Sequence, residues 1–437
     1  LVRPSQNSNN SIQIAKPFLL NFAFERNQED SLENFIDCPD TNPSGMSRFH
    51  PCILATVTLT YDHLEQDVLL YTKQNFKFGE QPCPYVIASG VRHHPDNWTT
   101  PIGKKNLFEW LNPTYLKDLQ EGRAVLLLDQ CLEGYHTPYL WQWFHESCSK
   151  YNVPPQAVIY VTGNWKTAED YAKWSIDKVD KIKTIPFAHF ESYVQFITDK
   201  YKIYSDWDSN IEYKKSNSIK TFNCLQKRLR SHRIWFYIKM FEAGILDFGL
   251  ISMNDYGDNK AYLDHRLPDE RLLQEARSVL PLEVYGKSNV QFDDSYYIDR
   301  IVAQVYKDTW VTVVSEPIFA DNDNALFISE KTFKPIACMH PFIILGGKGS
   351  LQAMRDMGYK TFEGFINEDY DNLSTFDRID AIIKEIKRID SIEDKLSWFE
   401  SMREILEHNY KTFHESKHKR PAASVELVNY CKEYFNV

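Results

Sequence analysis

Three charged clusters stand where the sequence predicts the carboxyl ends of strands. The first is Ser329-Glu330-Lys331, an acid beside a base at the start of an apolar helix. A helix N-terminus presents N–H groups and partial positive charge, so it attracts phosphate, and Lys331 in the first turn adds a full charge. Glu330 is wrong for phosphate but suits the paired hydroxyls of a ribose. Together they fit a nucleoside diphosphate, with ribose on Glu330 and phosphate on Lys331. The plainer reading is a capped helix with a solvated Glu-Lys pair. The second cluster is "KRLRSHR", residues 227–233, directly after a strand at 220–226. Arg230 and Arg233 are three apart, on one helical face, and guanidinium is the preferred fork for phosphate oxygens. A pyrophosphate contact and a basic helix surface both fit. The third is Glu133 in "LLLDQCLEGYHTP", a carboxylate in a loop after a buried strand. Held in a cleft, it can take a proton from an acceptor hydroxyl. Asp129 and His136 are its rivals, and Tyr135 and His136 are acceptor-side candidates.

The elements that must hold these clusters follow from hydrophobic periodicity. "KPFLLNFAF" (16–24), "HPCILATVTLTY" (50–61), "QDVLLYT" and "PYVIAS" read as strands. Ala124–Asp129 is a continuous apolar run, as a buried parallel strand is, and an amphipathic helix follows it. Residues 156–176 repeat the plan: strand, turn at Gly163-Asn164, helix. The polar stretch 201–220 reads as a linker. Strands and helices then resume at "KTFNCLQ", "RSHRIWFYIKMFEAGI", "DFGLIS", "DTWVTVVSEP", "EKTFKPIACM" and "HPFIILGG". Ser329 is a fair N-cap for the helix at 330, and Pro335 is awkward inside it. Amphipathic helices close the chain. The pattern predicts an α/β protein with two strand–helix layers and a ligand cleft at the carboxyl ends of the strands.

Composition agrees with this plan. With 437 residues the chain is too long for one ordinary core. A net charge of −10 argues against a sequence-blind nucleic-acid binder, so nucleic acid is not an expected partner. No apolar run is long enough for a membrane span, and no signal-peptide pattern is visible. The eight cysteines are scattered, without metal-ligand spacing, as for reduced thiols in a cytoplasmic protein. Asp206-Trp207-Asp208, Asp321-Asn322-Asp323 and Asp369-Tyr370-Asp371 pair acids that can hold Mg²⁺, but all three look like polar loops. Phosphate-loop, dinucleotide, nucleophile-elbow and zinc-protease motifs are lacking in the sequence.

These residues resemble a family. "FISEKTFKPIACMHPFIILGG" (327–347) resembles the donor-binding signature of α-1,3-fucosyltransferase-type glycosyltransferases. Ser329 stands for the family's Thr, Glu330 and Lys331 match, and Pro341 and Leu345-Gly346 match the strand that follows. "WVTVVSEPIF" looks like the family's strand ending in Phe-Glu-Asn, with Glu316 at the Glu. "FNCLQKRLRSHRIW" is similar to the segment whose Arg binds the donor diphosphate, and Arg233 is the match. "LLLDQCLEGYHTPYL" looks like the acceptor-side strand followed by Glu-Ser-Pro, which puts Glu133 at the base position. Pro317, Phe327 and Lys334 depart from the pattern: Pro317 replaces an Asn, Phe327 a Tyr, and Lys334 a basic residue closer to the Glu-Lys pair. The chain also resembles phage-encoded glycosyltransferase-like proteins. The resemblance covers four short segments. It implies a GT-B fold, two Rossmann-like domains facing a cleft, with residues 1–215 on the acceptor side and 216–437 binding the donor. It implies metal-independent, inverting transfer from a nucleotide-sugar, GDP-linked by family habit, to a glycan or other hydroxyl, in the cytoplasm of a bacterium or a virus-infected cell. Glu133 is then the base, and Arg230, Arg233, Glu316, Ser329, Glu330 and Lys331 bind the donor. The alternatives are a non-catalytic carbohydrate-binding or virion protein on the same fold, and a sugar transferase acting on DNA.

Overall fold

The computed structural model describes residues 21–24, 85–90, 107–108, 111, 113–131, 134, 139–226, 229–256, 270–284, 301–319, 325–416 and 422–436. Within them the strands form two all-parallel sheets, one in each half of the chain, and described helices join each pair of successive strands in each sheet from the strand Tyr85–Gly90 onward. The chain is thus an α/β protein built on two Rossmann-like layers.

The first sheet contains β1 (Asn21–Phe24), β2 (Tyr85–Gly90), β3 (Ala124–Gln130), β4 (Val158–Thr162) and β5 (Lys183–Pro186), side by side in chain order. Leu126, Leu128, Val158 and Tyr160 pack with Trp141 and Phe144 of helix α1 (Leu140–Tyr151) and Tyr171 of α2 (Thr167–Trp174). Val125, Leu127, Ile159 and Val161, which alternate with them, are buried as well. Both faces of the sheet are covered, which is why β3 and β4 read as unbroken apolar runs. The strands expected over 50–61 and 66–72 lie outside the described residues, as does the start of the one expected over 16–24.

Helix α3 (His189–Lys200) and helix α4 (Trp207–Ser216) precede the second sheet and contribute Phe190, Val194, Ile197, Trp207 and Ile211 to its core. Half of the linker expected over 201–220 is therefore helix. Asp206 caps α4 by accepting from the Ser209 amide at 2.8 Å, and Trp207 stacks on Phe399 at 5.6 Å. The segment looked polar partly because of Lys214. Yet Lys214 is buried, donates to the carbonyls of Tyr306, Lys307 and Thr309, and lies 4.9 Å over the Trp310 ring.

The second sheet holds β6 (Lys220–Gln226), β7 (Gly249–Met253), β8 (Thr309–Ser315) and β9 (Phe342–Leu345), in the spatial order β7-β6-β8-β9. Helix α5 (Ser231–Glu242) follows β6, and α6 (Glu330–Ala337) joins β8 to β9. Beyond them lie α7 (Ser350–Asp356), α8 (Thr375–Asp390) and α9 (Arg403–Ser416). Helix α6 packs against both α3 and α9. The last helix, α10 (Ala422–Phe435), returns to the first sheet: Glu426 pairs with Lys183 of β5 at 2.5 Å, and the Tyr430 hydroxyl donates to the Gln156 carbonyl at 2.7 Å. Among the described residues, no helix is long and apolar enough to cross a membrane.

Candidate functional site

The strand order of the second sheet reverses between β6 and β8, since the chain leaves β6 for β7 on one side and comes back to β8 on the other. Helices diverge at such a point, and a crevice opens beyond the carboxyl ends of the two strands. Arg233, in the first turn of α5, bridges it: Nη2 donates to the Ser315 carbonyl at 2.8 Å and Nε to the Ser315 hydroxyl at 3.3 Å. Arg233 is only 3% exposed. Burial, then the charge of neighbouring Arg230, pulls its pKa down to about 10, while Glu316 and Glu330 push it up. It stays charged at neutral pH. Arg230 is exposed at the N-cap position of α5, and its side chain does not cap the helix.

Glu316 follows β8 directly and is fully buried. It accepts from the Ser329 amide at 3.1 Å, from the Thr332 hydroxyl at 2.6 Å, and from the Ser329 hydroxyl. Burial raises its carboxyl, and the charge of Lys331 and these hydroxyl donors only partly offset that. Ser329, also fully buried, accepts from the Lys331 amide at 3.3 Å and so caps α6 as its residue type predicts. Glu316 and Ser329 thus spend their polar atoms holding the turn that presents the next two residues. His232 supports the same turn from α5: its Nε2 is 2.9 Å from the Glu316 carbonyl, which can only accept, so that nitrogen carries the proton. Burial first, and Arg233 second, push the His232 pKa down to about 3, so the ring is neutral. It stacks on Phe319 at 5.0 Å.

Glu330 and Lys331 open α6. Their side chains pair at 2.5 Å, with Glu330 nearly buried and the Lys331 side chain 29% exposed. Burial is the largest influence on the Glu330 carboxyl and acts upward, but Lys331 and Lys334 outweigh it, so the net shift is downward and the group is ionised. The edge between β6, β8 and β9 therefore carries Arg230, Arg233, Lys331 and Lys334 against Glu316 and Glu330.

Arg378, which the sequence did not single out, and Asp371 of the third acid pair complete this edge. Arg378 of α8 is 2% exposed. It donates to the carbonyls of Tyr370 at 3.2 Å and Leu373 at 2.8 Å and to that of Gly346, and it lies 5.2 Å from the Phe319 ring. It ties the turn after β9 to the 370–373 segment. Asp371 caps α7 by accepting from the Leu351 amide at 3.1 Å. The signal for Arg378 was available: it falls in phase with Ile382, Ile386 and Ile389 on the apolar stripe of α8, where a charge needs a buried partner. Asp206 and Asp371 are helix caps, which accounts for two of the three paired-acid motifs; Asp321 to Asp323 lie outside the described residues. Among the described residues no group of three metal-ligating side chains converges.

The expected base Glu133 and its neighbours Tyr135 and His136 lie outside the described residues. Gly134 is described and buried. A Cβ built on it would fall 2.4 Å from Phe327, the residue two before Ser329. Gly134 and the segment leading into α6 are thus adjacent. Two surface depressions lie apart from this edge, one of about 540 Å³ between β5 and α10 and one of about 710 Å³ beside His145 and Lys178.

No protein-family model matches the chain, and no curated protein matches it in sequence. Among solved structures it is similar to an α,α-trehalose-phosphate synthase (UDP-forming) from Burkholderia vietnamiensis, at 10% identity and a TM-score of 0.39, over 80% of this chain and 74% of that one. It is similar to an α,α-trehalose 6-phosphate synthase from Burkholderia multivorans at 10% identity and 0.37, over 79% and 72%. A sucrose-phosphate synthase from Thermosynechococcus elongatus matches at 12% identity and 0.37, over 81% and 89%.

Proposed function

We propose that this chain is a glycosyltransferase of the GT-B kind, moving a sugar from a nucleotide-sugar donor to an acceptor hydroxyl by a metal-independent, inverting route. One observation carries the reading: the N-termini of α5 and α6 meet at the strand-order reversal of the second sheet, bringing Arg230, Arg233 and Lys331 to one edge beside an ionised Glu330. A departing nucleoside diphosphate develops negative charge, and helix N-termini with fixed cations stabilise it as it leaves. Ionised Glu330 suits the ribose hydroxyls, which donate. Lys331, partly exposed, and Arg230 are placed to reach the phosphates. Arg233 is more enclosed and would lend its charge from behind.

In the proposed step the acceptor oxygen bonds to the anomeric carbon as the bond from that carbon to the diphosphate oxygen breaks. Glu133 takes the acceptor proton, and the diphosphate leaves with the bonding pair. GDP-fucose is the first donor to try, on the strength of the sequence resemblance, followed by UDP- and ADP-linked sugars. Calorimetric titration of the full chain with GDP, UDP and ADP tests the reading. One of them is expected to bind, and Lys331→Ala and Glu330→Ala are each expected to weaken that binding. Absence of binding by all of them at millimolar concentration would sink it. Full transfer activity in Glu133→Ala would leave the fold standing and remove the base.

A further inference from the structure

We propose that the Phe327 ring sets the spacing between the two halves of the site, making Phe327 and Asn164 positioning residues; this rests on the nucleotide-sugar reading above. Phe327 is 3% exposed and belongs to the segment that leads into α6, yet its neighbours come from the first half of the chain. Its backbone pairs with Asn164 in an isolated antiparallel bridge. The Trp165 amide donates to the Leu326 carbonyl at 2.8 Å, and the Leu326 amide donates to Asn164 Oδ1 at 3.0 Å. The same Oδ1 accepts from the Lys166 amide, so one buried side chain shapes the loop after β4 and grips the approach to α6.

The ring lies against two glycines. A Cβ on Gly134 or on Gly163 would come within 2.4 Å of Phe327 atoms. Neither glycine has a positive φ, so backbone conformation does not demand glycine there. At Gly134 space for the ring does, and at Gly163 space for the ring and for the Cys131 carbonyl does. Phe190 of α3 meets the same ring edge-on at 5.7 Å. Gly134 directly follows Glu133, and Phe327 precedes Glu330 by three residues. One ring therefore abuts Gly134, next in sequence to the proposed base, and stands three residues ahead of the proposed diphosphate cradle. A phenyl ring is rigid and incompressible, and a shift of about 1 Å between reacting groups costs on the order of a hundredfold in rate.

Hydrogen–deuterium exchange on full-length Phe327→Ala is the first test. Exchange is expected to quicken together around 131–134, 163–166 and 326–332 while β9 stays protected. Quickening confined to 326–332, or spread over the whole chain, overturns the proposal. If Phe327→Ala does not fold, Phe327→Leu carries the same test, because it removes the ring and keeps an apolar side chain in its place. The second test uses GDP and UDP as probes, with the nucleotide-sugar that the wild type turns over. Diphosphate Kd and donor KM are expected to stay within about threefold, and kcat to fall roughly a hundredfold. A proportional loss of affinity and kcat makes the ring a donor contact and overturns the proposal. If the wild type binds no diphosphate, the nucleotide-sugar reading falls, and the exchange experiment still decides whether the ring couples the halves.

Discussion

The carboxyl edges of the two sheets are built from different chemistry. At the edge of the first sheet Gln130 and Asn164 are buried and neutral: Gln130 accepts from the Tyr160 hydroxyl, and Asn164 binds backbone amides. At the edge of the second, Arg233, Glu316, Glu330, Arg378 and Asp371 are all buried. Strand order accounts for the contrast. The first sheet runs in chain order, so it has no reversal at which its helices part. The second reverses, and its helices part at β6 and β8. Buried charge costs stability unless it is bonded, so a sheet edge that keeps this much of it is arranged for something other than stability. On the proposed function, charge recognition belongs to the second half and the first half supplies position.

Arg378→Ala should break this contrast hardest. It strips donors from the carbonyls of Gly346, Tyr370 and Leu373, and a loss of about 3 kcal/mol or more is expected in thermal unfolding. A loss no greater than that of Tyr160→Phe would erase the distinction between the edges. Lys331→Ala comes next. Removing a charged donor to phosphate should cost about 2 kcal/mol, roughly thirtyfold in diphosphate Kd by calorimetry.

His232 sharpens the contrast through pH. Its folded pKa of about 3 lies below the ordinary 6.5, so the unfolded chain takes up the proton first as pH falls. Its stabilising contribution is complete above about pH 6.5 and declines as pH drops towards 3, amounting to about 2 kcal/mol lost by pH 5. Glu316, with its carboxyl raised by burial, acts in the opposite sense, gaining its proton earlier in the folded state. The wild type should therefore lose more stability than His232→Gln between pH 7 and 5; parallel curves would refute the assignment. Ser329→Ala should cost about 1 kcal/mol as a lost helix cap, seen in the melting temperature. Tyr160→Phe should be the mildest, about 1 kcal/mol or less, with no change in diphosphate affinity.

The strands of the second sheet were legible because each combines an apolar run with a turn. "KTFNCLQ" was expected at 220–226 and is β6, and Ser329 caps α6 as its type and place suggest. Arg230, Arg233, Glu330 and Lys331 do gather at one edge. The roles of Glu316 and Ser329 were not legible, since contact with a ligand and support of the turn that meets it require the same residue types. Lys214 hid α4 by making its inward face look polar. Arg378 and Phe327 were hidden by distance: Arg378 meets Gly346, 32 residues away, and Phe327 bridges Asn164, which its neighbour Leu326 reaches across 162 residues. Periodicity reports what an element buries and is silent about what comes to meet it.

The return of α10 to the first sheet has a consequence for the order of assembly. Leu427, Val428 and Cys431 are buried, and Tyr434 packs on the core formed by β3, β4 and α1. A domain emerging from the ribosome ordinarily folds as soon as its own residues are out. Here the early sheet receives its last covering from residues made after the whole second core. Its β5 side stays uncovered through most of synthesis, and the two halves are stitched into one molecule from the far end.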